Sequence, residues 1–122
     1  MQVLDLTTYS DADLVQSYIY QEVGGVPIDL TGWSLRLMVR KQANDPTALF
    51  ECTTQNGRIW YNDAALGQFT LQIPISILMP LQPGSYDQSL IGTHPDSLIR
   101  RDLWRGALEH SAGPTRWTLG TQ

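Results

Sequence analysis

Apolar and polar residues alternate in short runs from about Val15 to Leu108, and each run is stopped by Gly, Asn-Gly, Pro-Gly or Pro-Asp. Successive side chains of an extended strand point to opposite faces, so a period of two marks a strand with one buried face. Turn residues recurring at roughly eight to twelve positions mark antiparallel neighbours.

Residues 14–21 alternate, with Val15 and Ile19 on one face and Leu14, Tyr18 and Tyr20 on the other. Gly24-Gly25 permits a tight turn, and Pro27 to Gly32 supplies a second bend because proline fixes its own φ. The clearest strand follows: Trp33, Leu35, Leu37 and Val39 share one face, and Ser34, Arg36, Met38 and Arg40 share the other. Gln55-Asn56-Gly57 predicts a hairpin pairing residues 48–53 with 58–61, since Asn-Gly favours the two-residue turn that joins adjacent strands. Phe69, Leu71 and Ile73 form the apolar face of residues 68–73, and Pro74 ends that strand by removing a ladder donor. Residues 75–79 fit one helical turn between Pro74 and Pro80. A corner at Leu81-Gln82-Pro83-Gly84-Ser85-Tyr86 leads into a strand to Ile91. His94-Pro95-Asp96-Ser97 turns the chain, and residues 98–108 return as a long final strand in which Gly106 marks a bulge.

The predicted fold is all-β: an antiparallel, immunoglobulin-like sandwich of seven to eight strands spanning residues 14–110. Tyr86 is the candidate for the tyrosine corner of such folds, its hydroxyl bonding back to nearby backbone; a half-buried strand tyrosine is the plain alternative. Residues 1–13 fit either a first edge strand or an arm. Residues 111–122, with Gly113, Pro114 and Gly120, read as a flexible C-terminal arm.

At 122 residues the chain is one domain, large enough to bury roughly two-thirds of its unfolded surface without metals or disulfides. Eight Lys and Arg against twelve Asp and Glu give a net charge of -4, which argues against a nucleic-acid binder that works by neutralising phosphates. A single cysteine, Cys52, excludes an internal disulfide. The opening residues lack a basic segment followed by an apolar stretch, so folding in a cytosol is expected, and no run is long enough to span a bilayer.

Candidate chemistry is sparse. His94, in a turn where Asp96 is expected to bond local backbone, and His110, where the last strand runs out, are the only imidazoles; both are expected at exposed or rim positions rather than in a nucleophile system. Their separation, with one unrelated cysteine, does not make a zinc pattern, and Asp11-x-Asp13 lacks the spacing of a calcium loop. Glu51 and Glu109 lie on strands and read as outward-facing charge rather than a catalytic pair. Cys52 reads as a small buried residue, with no basic neighbour to activate its thiol. No cofactor or metal site is expected, and no enzymatic activity.

The tryptophans carry more information. Trp33 is in phase with core residues. Trp60 and Tyr61 are strand neighbours and must face opposite ways, so one leaves the core. Trp104 lies between Arg101 and Arg105, and Trp117 next to Arg116 in the C-terminal arm. Tryptophan and arginine are enriched at protein interfaces, which makes Trp117, Arg116, Trp60 and Trp104 the interface candidates. Two of these tryptophans exposed on one face would instead suit stacking on a glycan, so a carbohydrate-binding module stays open. For Trp117, folding back on its own domain is an equal alternative.

The series Val26-Pro27-Ile28-Asp29-Leu30-Thr31-Gly32-Trp33, Asn56-Gly57-Arg58-Ile59, Gly67-x-Phe69-Thr70-Leu71 and Leu81-x-Pro83-Gly84-x-Tyr86-Asp87, ending in Pro95-Asp96 and Leu103-x-Arg105-Gly106-x-Leu108, resembles small β-sandwich structural proteins of tailed bacteriophages and prophages. The likeness covers residues 14–110. It departs from the family at the start, where Ser10-Asp11-Ala12-Asp13 replaces a basic opening. The resemblance implies a virion protein made in the bacterial cytoplasm, without catalytic residues, whose partners are other virion proteins and copies of itself. Its implied place is the tail, baseplate or fibre-attachment region, with head decoration as the alternative.

Overall fold

Strand β3 (Ser34–Arg40) shows how the pattern becomes structure: Leu35, Leu37 and Val39 are wholly buried while Arg36 between them is exposed. The computed structural model describes residues 3–22 and 24–115. Its strands in chain order are β1 (Leu6–Tyr9), β2 (Leu14–Ile19), β3, β4 (Phe50–Thr53), β5 (Ile59–Asp63), β6 (Gln68–Ile73), β7 (Gly84–Thr93) and β8 (Arg100–Ser111). A 3-10 turn (Ala64–Leu66) precedes β6, and the expected single helical turn appears as α1 (Ile75–Leu78). The fold is all-β, with a five-stranded sheet ordered β1-β8-β7-β3-β4 and a three-stranded sheet ordered β2-β6-β5.

Both sheets feed one core. Leu35, Leu37, Val39, Leu90, Leu103 and Leu108 come from the larger sheet, and Ile59, Phe69, Leu71 and Ile73 from the smaller. Leu30, from the loop before β3, and Leu78, from α1, belong to the same cluster. Each such side chain contributes roughly 1.5–3 kcal/mol on leaving water, which is what offsets the ordering of the chain. Residues 64–68 are held tightly: a Cβ on Gly67 would sit within 2.7 Å of the Tyr20 and Ile28 carbonyl oxygens, and its φ of 68° is left-handed, so only glycine fits.

Four local expectations are corrected. The Asn-Gly turn does not close a hairpin, because β4 pairs with β3 and β5 pairs with β6. Asn56 Oδ1 instead accepts from the Thr53 and Arg58 amides, so the turn passes the chain from one sheet to the other. The ladder is not antiparallel throughout: β1 runs parallel to β8, Leu6 opposite Leu108 and Tyr9 opposite Ser111. The last strand begins at Arg100 and runs to Ser111, leaving Leu98 in the preceding loop. The bulge in β8 is not at Gly106. Register slips between Leu90–Trp104 and Ile91–Asp102, so Leu103 is the extra residue. Gly106 has a different role, since a Cβ there would strike the Leu4 carbonyl and the Asp5 carboxylate as the N-terminal segment passes.

The corner before β7 is as expected. Tyr86 is buried, and its hydroxyl donates to the Gln82 carbonyl four residues upstream.

Candidate contact surface

The chemistry-bearing side chains are scattered and structurally occupied. His110 is buried, correcting the expected rim position, because β1 covers the end of β8. Thr8 Oγ1 lies 2.8 Å from its Nδ1. The Leu78 and Leu81 carbonyls lie near the ring, but its Nε2 meets hydrogen-bond geometry with none of the described residues. Burial pushes its pKa below 6.5, with those two carbonyls opposing the shift. His94 sits at the rim, and here the imidazole rather than Asp96 organises the turn. Its Nδ1 accepts from the Asp96 and Ser97 amides, both at 3.1 Å. Its ring meets Trp33 edge-on at 5.2 Å.

Cys52 is buried with its thiol toward the Gln72 carbonyl, and burial pushes its pKa to about 12, outweighing the Arg58 charge. Asp13 Oδ1 accepts the Ile75 amide at 2.5 Å, holding the start of α1. Asp11 Oδ2 accepts the Thr115 amide at 3.2 Å. Glu51 pairs loosely with Arg36 at 3.6 Å, and Glu109 accepts from Ser85 Oγ at 2.8 Å. Their strands, β4 and β8, are three spacings apart in one sheet, roughly 14 Å, too far for a carboxylate pair to share a glycosidic bond. Among the described residues no group of three or more His, Cys, Asp or Glu could hold a metal ion, and no helix is long and apolar enough to cross a membrane.

The tryptophans divide sharply. Trp104 is buried, against the expectation of an interface residue: it shares the inward face of β8 with Leu108 and His110, opposite Leu90, and the bulge turns Leu103 inward beside it. Its ring packs against Tyr18 at 4.8 Å and Phe69 at 6.0 Å, and Nε1 donates to Gln88 Oε1 at 2.7 Å. Trp60 is exposed at 39%, while its neighbour Tyr61 turns inward and donates to the Trp33 carbonyl at 2.6 Å. Trp60 and Trp104 therefore share no exposed face. Arg116 and Trp117 lie outside the described residues.

Trp60 belongs to a surface that pairing register assembles. On the outer face of the small sheet Val15 lies opposite Gln72, Ser17 opposite Thr70 and Trp60, and Ile19 opposite Gln68 and Asp63. Val15 and Ile19 are 55% and 52% exposed. Between them runs a hydroxyl chain: Thr70 Oγ1 donates to Asn62 Oδ1 at 2.6 Å and lies 2.9 Å from Ser17 Oγ. The face is thus apolar at its ends and pinned at its middle. Val15 and Ile19 were legible as one face of residues 14–21, but nothing local showed that Trp60 joins them.

A second exposed apolar feature is the loop between β7 and β8. Leu98 and Ile99 are 69% and 55% exposed, and Leu98 is the only described residue other than glycine with positive φ, 59°. A left-handed leucine costs roughly 1–2 kcal/mol. The loop holds it there through Leu98 N–H to the His94 carbonyl at 3.1 Å and His94 N–H to the Ile99 carbonyl at 2.9 Å. Sequence reasoning missed this tip, since Leu98-Ile99 reads as the start of a strand.

No protein-family model matches the chain, and no curated protein sequence is similar to it.

Proposed function

We propose that this chain is a non-enzymatic structural protein of a tailed bacteriophage particle, acting through protein–protein contacts in the tail, baseplate or fibre-attachment region. The observation that carries the reading is the outer face of the small sheet, where Val15, Ile19 and Trp60 stand in water on a pinned framework. Apolar side chains presented on a rigid face favour association, because little freedom is lost when a partner covers them. The reactive groups support the same reading from the other side: His94, His110 and Cys52 each have a structural task.

The finer fold assignment belongs with this proposal. A strand order of β1-β8-β7-β3-β4 facing β2-β6-β5, with a tyrosine corner at Tyr86, agrees with an immunoglobulin-like sandwich. Such sandwiches present edge strands and loop tips to neighbours, here β1, β4, β2 and β5 as edges.

The test is biochemical. Particles from a producing strain are probed with antibody against the chain, by immunogold labelling and by mass spectrometry of purified virions. Label at the tail is expected, and absence of the chain from purified particles overturns the reading. Deleting residues 112–122 should leave the monomer folded, because the core cluster that joins the two sheets is built from residues 6–108. The truncated chain should enter particles poorly; normal incorporation removes the C-terminal arm from the proposal.

A further inference from the structure

The cations of this chain are confined to two stretches. Residues 1–35 and 59–99 contain neither Lys nor Arg. Topology turns that pattern into a spatial one. The small-sheet strands β2, β5 and β6 hold no cation and carry Asp63, whereas β3 and β8 of the large sheet carry five arginines. Two of these, Arg100 and Arg101, open β8 immediately after the exposed Leu98-Ile99 tip and are themselves exposed. One molecule therefore has two unlike apolar patches: a tip that carries Asp96 but is net positive with Arg100 and Arg101, and a sheet face edged by Asp63, where the one adjoining cation, Arg58, turns its guanidinium to the Glu51 carbonyl.

Resting on the reading of the chain as an assembly component, we infer that it binds a second copy of itself head to tail. The His94–Ile99 tip of one copy seats on the outer face of the small sheet of the next. Leu98 and Ile99 cover Val15, Ile19 and Trp60, and Arg100 and Arg101 lie beside Asp63. Tip against tip would bring four arginines together with only the two Asp96 carboxylates to offset them, and face against face would bring the two Asp63 side chains together; head to tail opposes the net positive tip to Asp63. Exposed ion pairs contribute little affinity, so the apolar side chains supply the attraction and the charges select the orientation. Both surfaces are preorganised, the tip by His94 and the face by the Ser17, Thr70 and Asn62 chain. A contact between unlike patches leaves one of each unused, so it propagates into a ring or an open filament.

Two variants test this with the full chain. Leu98→Ser with Ile99→Ser removes the tip, and Ile19→Ser with Trp60→Ala removes the face; all four positions are exposed, and circular dichroism verifies that both variants fold. By sedimentation equilibrium the parent should gain mass with concentration, more weakly in high salt, and each variant alone should be a monomer. An equimolar mixture of the two should form dimers and stop there, since only one junction can be built from one intact tip and one intact face. A parent that stays monomeric at every concentration, or a mixture that stays monomeric while the parent associates, overturns the proposal. So does undiminished association of either variant. The outcome is separable from the functional reading: a monomeric chain that is found in particles sinks the head-to-tail contact alone, and an associating chain absent from particles sinks the phage role alone.

Discussion

The β7–β8 hairpin has two ends built on opposite principles. At the corner end, Tyr86 is buried and bonded to the Gln82 carbonyl, and His110, opposite Gly84, is buried and tied through Thr8 to the edge strand β1. At the tip end, Leu98 is bent into a left-handed conformation and stands in solvent, with His94 bracing the turn. Each end has one histidine, used inwardly at the corner and locally at the tip. Strain at a residue persists only where the surroundings over-determine it, and a long hairpin, paired on both sides of its one bulge, provides that support. The lesson is a division of labour along one element: the corner holds the fold together, and the tip is displayed at its expense. Variants at the two ends should therefore separate stability from association.

The largest effect is expected at the corner. Tyr86→Ala removes a buried aromatic side chain and should destabilise by about 3–5 kcal/mol in denaturant unfolding. Tyr86→Phe isolates the hydroxyl and should cost about 1 kcal/mol, since the Gln82 carbonyl loses its donor. Neither change touches the exposed patches, so the folded fraction should associate as the parent does. A Phe variant as stable as the parent would show that the corner hydroxyl contributes nothing.

A smaller effect, specific to the same end, is set by His110. Its folded pKa lies below the ordinary 6.5, because burial disfavours the imidazolium. The unfolded chain then binds the proton more readily than the folded one. Stability from this site is full above about pH 6.5 and falls as pH drops toward the lower folded pKa, below which it levels off. Denaturant midpoints followed from about pH 7 to pH 5, a range that stays above ordinary carboxylate titration, should fall for the parent and stay flatter for His110→Gln. Equal slopes for the two proteins would exclude His110 as the source.

How much of this was legible follows from the range of each signal. Strands β3 and β6, the turn at α1 and the Tyr86 corner are visible locally, because their alternation, prolines and Pro-Gly lie within a few residues of one another. The Asn56-Gly57 turn was visible as a turn but not as a passage between sheets: turn chemistry reverses the chain without choosing its ladder partner. The parallel pairing of β1 joins residues 102 apart in sequence, such as Leu6 and Leu108, and no local pattern encodes that. With β1 unplaced, the burial of His110 could not be foreseen. Trp104 was misplaced for a different reason. Its flanking arginines suggested an interface, whereas alternation back from Leu108 puts it on the core face opposite Leu90, and the residue that the bulge adds to that face is Leu103. The contact surface was half legible, as Val15 and Ile19 follow from alternation while Trp60 reaches them only through register with β6.

The smallest effect sharpens the contrast most, because it should have opposite signs in two measurements. Leu98→Gly removes a left-handed penalty of roughly 1–2 kcal/mol for an L side chain, offset by the roughly 0.5–1 kcal/mol that glycine's freedom in the unfolded state costs. The side chain is 69% exposed, so little burial is lost. Unfolding should therefore show a gain of about 0.5 kcal/mol. Association should weaken in the same variant, since the displayed leucine is gone. Leu98→Asn, which tolerates the left-handed region but is polar, should match the glycine variant in association. If Leu98→Gly instead destabilises the monomer by more than about 1 kcal/mol, the leucine is packing rather than display, and both ends of the hairpin serve the fold.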